Sequence, residues 1–170
     1  GVGSAFHFTI RVSPAEKGPP STGNTQFLVA TGAAPSGSTS GRSLNVLLVE
    51  DNRVNQALAI ALLKKAGCTA QLAEDGDQAL DLMRQGPFDL VLMDVCLPTM
   101  NGFETTNRIR SGECGPGSQG IHIAAMTANA MEGDRQRCID AGMNDYLSKP
   151  ISKSELFNLI DRVRHPERNS

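Results

Sequence analysis

The sequence predicts an α/β fold, a doubly wound five-stranded parallel sheet with helices on both faces. Three observations carry that prediction. From Leu44 onward, short apolar runs alternate with segments of helical period. Gly67, Gly86 and Gly142 stand where those helical periods end. The runs Val46-Leu47-Leu48-Val49 and Leu90-Val91-Leu92-Met93 are apolar at every position, which suits strands covered on both faces and joined by right-handed helical crossovers.

Taken in order, residues 45–50 read as a buried strand. Val54, Leu58, Ala61 and Leu62 then fall at helical spacing, with Lys64 and Lys65 in the last turn and Gly67 as the stop. Residues 69–73 form a second strand and 77–84 a second helix. The third strand ends at Asp94, and Pro98 and Gly102 turn the chain into a helix over 103–110. Residues 111–120 are a glycine-rich loop. A fourth strand over 121–126 leads to a helix within 130–141, and a short fifth strand covers 145–147. The last helix is the best marked, with Ser152 and Glu155 in capping-box spacing and Ile151 placed to staple onto Leu156. Its stripe of Leu156, Leu159, Ile160 and Val163 reads as core.

Before this region the composition changes. Nineteen of the thirty-one residues from 13 to 43 are Gly, Pro, Ser or Thr, so the stretch reads as a flexible linker with one apolar island, Phe27-Leu28-Val29-Ala30. Residues 1–12 place Phe6, Phe8, Ile10 and Val12 on one face of a strand behind a Gly-x-Gly turn. The domain limits expected are therefore 1–12, 13–43, 44–165 and a tail over 166–170.

Bulk composition excludes several classes. A net charge of −2 over 170 residues and a pI near 5.9 point to no nucleic-acid partner, and no apolar run approaches the roughly 20 residues of a membrane span. Cys68, Cys96, Cys114 and Cys138 lack C-x-x-C spacing, which argues against zinc and redox motifs and suits free thiols in a cytoplasmic setting.

Ligands of open α/β sheets bind beyond the carboxyl ends of the strands. Those ends carry Glu50 and Asp51, then Asp94, then Thr127, with Tyr146 in the fifth strand and Lys149 just after it. Glu50 and Asp51 alone could equally cap the first helix. Together, however, three converging carboxylates must be partly protonated or share a cation, and a hard divalent ion, Mg²⁺ most naturally, meets that need with oxygen ligands. An aspartate nucleophile beside a metal, an ammonium and a hydroxyl suits phosphoryl transfer.

These residues resemble the receiver domain of two-component signalling over about residues 44–163. Glu50-Asp51-Asn52 is similar to that family's acidic pair and helix entry. Asp94, Pro98 and Gly102 match its phosphoacceptor segment, Met126-Thr127-Ala128 its switch hydroxyl, and Tyr146-Leu147-Ser148-Lys149-Pro150 its aromatic, lysine and proline positions. The phrases around Asp51-Asn52-Arg53-Val54-Asn55-Gln56 and Thr127-Ala128-Asn129-Ala130 look most like receivers fused to hybrid sensor histidine kinases. Residues 1–12 resemble the end of a kinase ATP-binding domain, an unrelated strand being the alternative.

The resemblance implies a flavodoxin-like strand order of 2-1-3-4-5 and a set of roles. Asp94 is the expected phosphoacceptor. Asp51 and Asp94 are expected to ligate Mg²⁺ directly, Glu50 through water, and Cys96 through its carbonyl. Lys149 and Thr127 would contact the phosphoryl group, Tyr146 would turn inward as Thr127 moves and change the surface of the fourth helix, fifth strand and fifth helix, and Pro150 would follow a cis bond. The partner implied is a phosphohistidine donor, either a kinase dimerisation domain or a histidine phosphotransfer domain, with no membrane contact by this region even where the parent kinase is membrane-anchored. His7, His122 and His165 lack the setting of a donor histidine, so the chain is expected to accept phosphate, with self-dephosphorylation at most. Two other readings fit less well. An aspartate-nucleophile phosphatase usually carries an acid/base Asp two residues after the nucleophile, where this chain has Cys96. A dinucleotide-binding domain needs G-x-G-x-x-G after the first strand, which is lacking.

Overall fold

The structure is a computed structural model describing residues 42–128 and 132–166, with side chains 132–134 also outside the description. The segment 1–12, most of the 13–43 linker with its Phe27-Leu28-Val29-Ala30 island, Asn129, Ala130 and residues 167–170 lie outside the described residues.

Five strands form one parallel sheet: β1 (Asn45–Val49), β2 (Thr69–Ala73), β3 (Leu90–Asp94), β4 (His122–Thr127) and β5 (Asp145–Ser148). Their order is β2-β1-β3-β4-β5, so the chain reverses direction across the sheet between β1 and β3. The helices are α1 (Arg53–Lys65), α2 (Gly76–Gln85), α3 (Gly102–Arg110), α4 (Glu132–Asp140) and α5 (Lys153–Arg164). The alternation of the strand side chains feeds two cores. Leu47, Val49, Val91, Met93, Ile123 and Ala125 pack on the α2 and α3 side. Val46, Leu48, Leu90, Leu92, Ala124 and Met126 pack against α1 and α5. Because β1 and β3 are buried on both faces, the continuous apolar runs seen in the sequence are what each layer requires.

Helix starts follow local chemistry. Asn52, Asp75, Asn101 and Ser152 each accept a backbone N–H from the first turn of α1, α2, α3 and α5. At α5 only half of the expected capping box forms. Glu155 N–H donates to Ser152 Oγ, but the Glu155 carboxylate accepts the Ser152 and Ser148 hydroxyls. Leu156, Leu159 and Ile160 are buried as expected.

The stripe read on α1 is largely turned to solvent. Only Leu62 of that stripe is buried; Val54 is 77% and Leu58 40% exposed, and the inward face is Gln56, Ala59, Leu62 and Leu63. The helix is rotated because the Gln56 amide donates to the Glu50 carbonyl at 2.7 Å, which brings that polar residue inside.

The glycine-rich loop 111–120 is held in place rather than left open. Gly112, Gly115 and Gly117 take positive φ, a conformation costly for any other residue, and a 3-10 turn covers Ser118–Gly120. Glu113 accepts from both Arg108 and Arg84, and Cys114 is buried with its thiol near the Leu80 carbonyl. The guanidinium of Arg108 holds the Glu113 carboxyl below the usual glutamate range.

Candidate functional site

Register places the site. Val49 pairs with Met93, so the next residues, Glu50 and Asp94, stand side by side at the carboxyl edge of the sheet. Asp94 is level with Met126, and Thr127 with Ser148, so the Thr127 and Lys149 positions lie at the same edge. This edge includes the reversal between β1 and β3, where ligands of such sheets bind.

Glu50, Asp51 and Asp94 bring carboxylate oxygens within 4.8 Å of one another. Glu50 and Asp94 are buried, whereas Asp51 is exposed. The Lys149 ammonium reaches both buried acids, at 2.6 Å from Asp94 Oδ2 and 2.7 Å from Glu50 Oε2. Its backbone N–H donates to the Thr127 carbonyl at 2.8 Å, which fixes the stem of the side chain, and the Lys149–Pro150 peptide bond is cis. Burial opposes the charge on Lys149, but its hydrogen bond to Asp94 and the attraction of the Asp94 and Glu50 carboxylates outweigh it, so its pKa stands above the ordinary lysine value.

One ammonium does not balance three carboxylates. Glu50 Oε2 is buried and, despite its closeness to Lys149, makes no aligned hydrogen bond. Such an oxygen is costly unless another partner completes it. The donors are all hard oxygens, and the Cys96 thiol is exposed and is not one of the cluster. This set fits Mg²⁺ and does not fit a thiophilic metal.

The loop after β3 is shaped around Asp94. The Cys96 N–H donates to Asp94 Oδ1 at 2.9 Å, so one oxygen faces the loop and the other faces Lys149. Gly102 is required by close approach, since a Cβ there would lie 2.2 Å from the Asp94 carbonyl oxygen and 3.0 Å from Met93 Cγ. Gly102→Ala is expected to push α3 away from β3 and to cost about 1–3 kcal/mol through overpacking. Chemical denaturation checks this, and an unchanged midpoint would show that the loop yields freely.

Thr127 is buried and shares a cavity of about 310 Å³ with Val95, Cys96, Phe103 and Cys138. Tyr146 is 40% exposed with the Arg135 guanidinium 5.6 Å from its ring centre, so it points outward here. Sequence reasoning missed the second layer. Asn55 donates to Glu50 Oε1 at 2.9 Å, and buried Gln56 holds the Glu50 carbonyl. The available signal was polar residues on a helix face turned toward an acidic strand end. Glu50 and Asp51 do not cap α1; Asn52 does, and Glu50 Oε1 accepts the Asn52 N–H at 3.3 Å.

Comparison with known proteins agrees with this geometry. Residues 46–161 match the response regulator receiver domain, and the chain belongs to that family. The chain is 36% identical over 162 residues to hybrid signal transduction histidine kinase I of Dictyostelium discoideum, covering 88% of this chain and 9% of that protein. Among solved structures, the receiver domain of the sensor histidine kinase PA1611 of Pseudomonas aeruginosa PAO1, with a magnesium ion coordinated in its active site cleft, is 40% identical with a TM-score of 0.65, covering 71% of this chain and 97% of that one. A second match lies in the co-crystal structure of the Saccharomyces cerevisiae histidine phosphotransfer signaling protein Ypd1 with the receiver domain of Ssk1. It is 31% identical with a TM-score of 0.67, covering 74% of this chain and 92% of that one.

Proposed function

We propose that this receiver domain takes a phosphoryl group from a phosphohistidine onto Asp94 and relays it within a hybrid sensor kinase of which this chain is a part. The observation that carries the reading is Lys149 bridging two buried acids at 2.6 and 2.7 Å beside a third carboxylate. The Asp94 carboxylate attacks phosphorus, the P–N bond of the donor breaks, and the imidazole leaves with its electron pair as the acyl phosphate forms. Asp51 and Asp94 would hold Mg²⁺ directly, Glu50 through water, and Cys96 through its carbonyl. When bound, the ion neutralises charge on the acceptor and on the transferred oxygens. Lys149 stays beside Asp94 to pair with the phosphoryl group, and Thr127 supplies a hydroxyl to it.

The switch follows from the same contacts. A phosphoryl group that draws Thr127 toward Asp94 empties space on the α4 side, and Tyr146 then leaves Arg135 and turns inward. The surface of α4, β5 and α5 changes as a two-state equilibrium biased by a local charge change. Residues 1–12 are assigned to the end of a kinase domain on their resemblance, and 13–43 to the linker on their composition.

Incubation of the chain with acetyl phosphate and Mg²⁺, followed by intact-mass measurement, tests the reading. One phosphoryl adduct is expected, and it should be lost when EDTA is present. No adduct under any donor would reject it.

The donor's docking face is read from α1. Val54 and Leu58 are exposed apolar residues, and Leu58 lines a small pocket with Asn55, Lys149 and Ile151 at the rim of the site. Leu58→Asp is expected to slow transfer from a protein phosphohistidine by about tenfold, the cost of losing one interface anchor. Transfer from acetyl phosphate, which needs no docking face, should keep its rate. Equal slowing with both donors would place Leu58 in the fold rather than the interface.

A further inference from the structure

The acidic pair is supported by a polar layer from α1 that none of the roles above includes. Glu50 is 1% exposed, and its two carboxylate oxygens meet different surroundings. Oε1 accepts the Asn55 amide at 2.9 Å and the Asn52 N–H at 3.3 Å. Oε2 faces Lys149 at 2.7 Å and has no aligned hydrogen bond. The Glu50 carbonyl is held at 2.7 Å by Gln56, which is itself buried.

Asn55 stands in the first turn of α1, three residues after the cap Asn52. At that position a capping-box side chain would reach back to the N–H of the cap residue. Here the task is divided, because Glu50 Oε1 accepts the cap N–H and the Asn55 amide reaches on to the same oxygen. One oxygen of Glu50 is thereby committed to the helix start, and rotation of the carboxylate about its last bond would break both hydrogen bonds.

We infer that Asn55 is a positioning residue of the metal site, which fixes the Glu50 carboxylate so that Oε2 alone is presented to Lys149 and to a divalent cation. The inference rests on the phosphoacceptor reading above and adds a residue acting through Glu50 rather than on the ion. Metal-site residues one layer out typically change metal affinity by about 10–100-fold when removed, because the ligand they orient becomes free to turn. Without Asn55, Glu50 can rotate Oε2 toward the helix N-terminus, which attracts it electrostatically.

The test is Mg²⁺ titration of the full chain, read from the amide NMR shifts of Asp94 and Cys96, in four proteins: wild type, Asn55→Ala, Glu50→Gln, and the double variant. Asn55→Ala is expected to weaken Mg²⁺ binding about tenfold in the wild-type background. In the Glu50→Gln background the same change should alter affinity less than about twofold, as pairwise coupling requires. Asn55→Gln, which keeps an amide able to reach Oε1, should recover most of the affinity. Equal losses in both backgrounds, or no loss in either, would overturn the inference. Loss of the native amide dispersion in Asn55→Ala, with Asn55→Gln folded but as weak as Asn55→Ala is expected to be, would also overturn it. A wild type that does not bind Mg²⁺ while Asp94 still accepts phosphate would remove the metal reading, and this inference with it.

Discussion

Asp94→Asn is expected to yield no phosphoryl adduct with any donor, and to do so without unfolding the domain. The amide oxygen of Asn still accepts the Cys96 N–H that Asp94 Oδ1 accepts at 2.9 Å. Lys149 keeps Glu50 as its partner at 2.7 Å. One of three clustered carboxylates is removed, so like-charge crowding falls and the melting temperature should not drop. What disappears is the anionic oxygen able to attack phosphorus, because an amide is far too weak a nucleophile to replace it. Intact mass after incubation with acetyl phosphate and Mg²⁺ reads the outcome. An adduct that survives in Asp94→Asn would move the acceptor to another residue.

Lys149→Met has the opposite signature, a large effect on stability as well as on transfer. Lys149 is 16% exposed through its side chain and joins two acids that are nearly inaccessible to water. Removing the cation leaves Glu50 and Asp94 buried with Asp51 nearby and nothing positive between them. Breaking such a pair costs about 3 kcal/mol, taken at the low end because the lysine retains some contact with solvent. For a domain of this size that corresponds to a fall in melting temperature of roughly 10 °C. A divalent cation should reverse much of it, since a ligand at a hundredfold excess over its dissociation constant stabilises by about 2.7 kcal/mol. Thermal melts with Mg²⁺ and with EDTA check both statements. A variant as stable as wild type in EDTA would show that the acids relieve themselves by protonation, and the bridge would lose its structural role.

The parallel sheet was legible in the sequence because its evidence is local. Leu90-Val91-Leu92-Met93 is apolar at every position, which only a strand covered on both faces needs, and Asp94 ends it with a charge that requires partners. The positions of Glu50, Thr127 and Lys149 at neighbouring strand ends followed from the alternation of strands and helices. The facing of α1 did not follow. Val54 and Leu58 sit at helical spacing, yet they face outward, because the bond from Gln56 to the Glu50 carbonyl and the packing of Ala59 and Leu63 set the rotation. Spacing defines a stripe on a helix, and it does not say which side the sheet will cover.

The 111–120 segment shows the same limit. Its glycines read as a loop, as found, but nothing local announced that Glu113 is fastened by Arg84 from α2 and Arg108 from α3. Asn55 as a partner of Glu50 had only a weak signal, its place on a polar helix face beside an acidic strand end, since an Asn in the first turn of a helix ordinarily meets solvent.

By itself the sequence determined the order of the elements, the parallel sheet and the acidic residues at its carboxyl edge. Periodicity, apolar run length and turn residues are properties of neighbouring positions, and they act before the chain is compact. The tertiary structure alone decided that Lys149 bridges Glu50 and Asp94, that Asn55 holds one oxygen of Glu50, and that Tyr146 lies under Arg135. Lys149 and Asp94 are 55 residues apart, and their distance depends on how helices pack across the sheet. Local pattern says which groups need partners, and packing selects the partners.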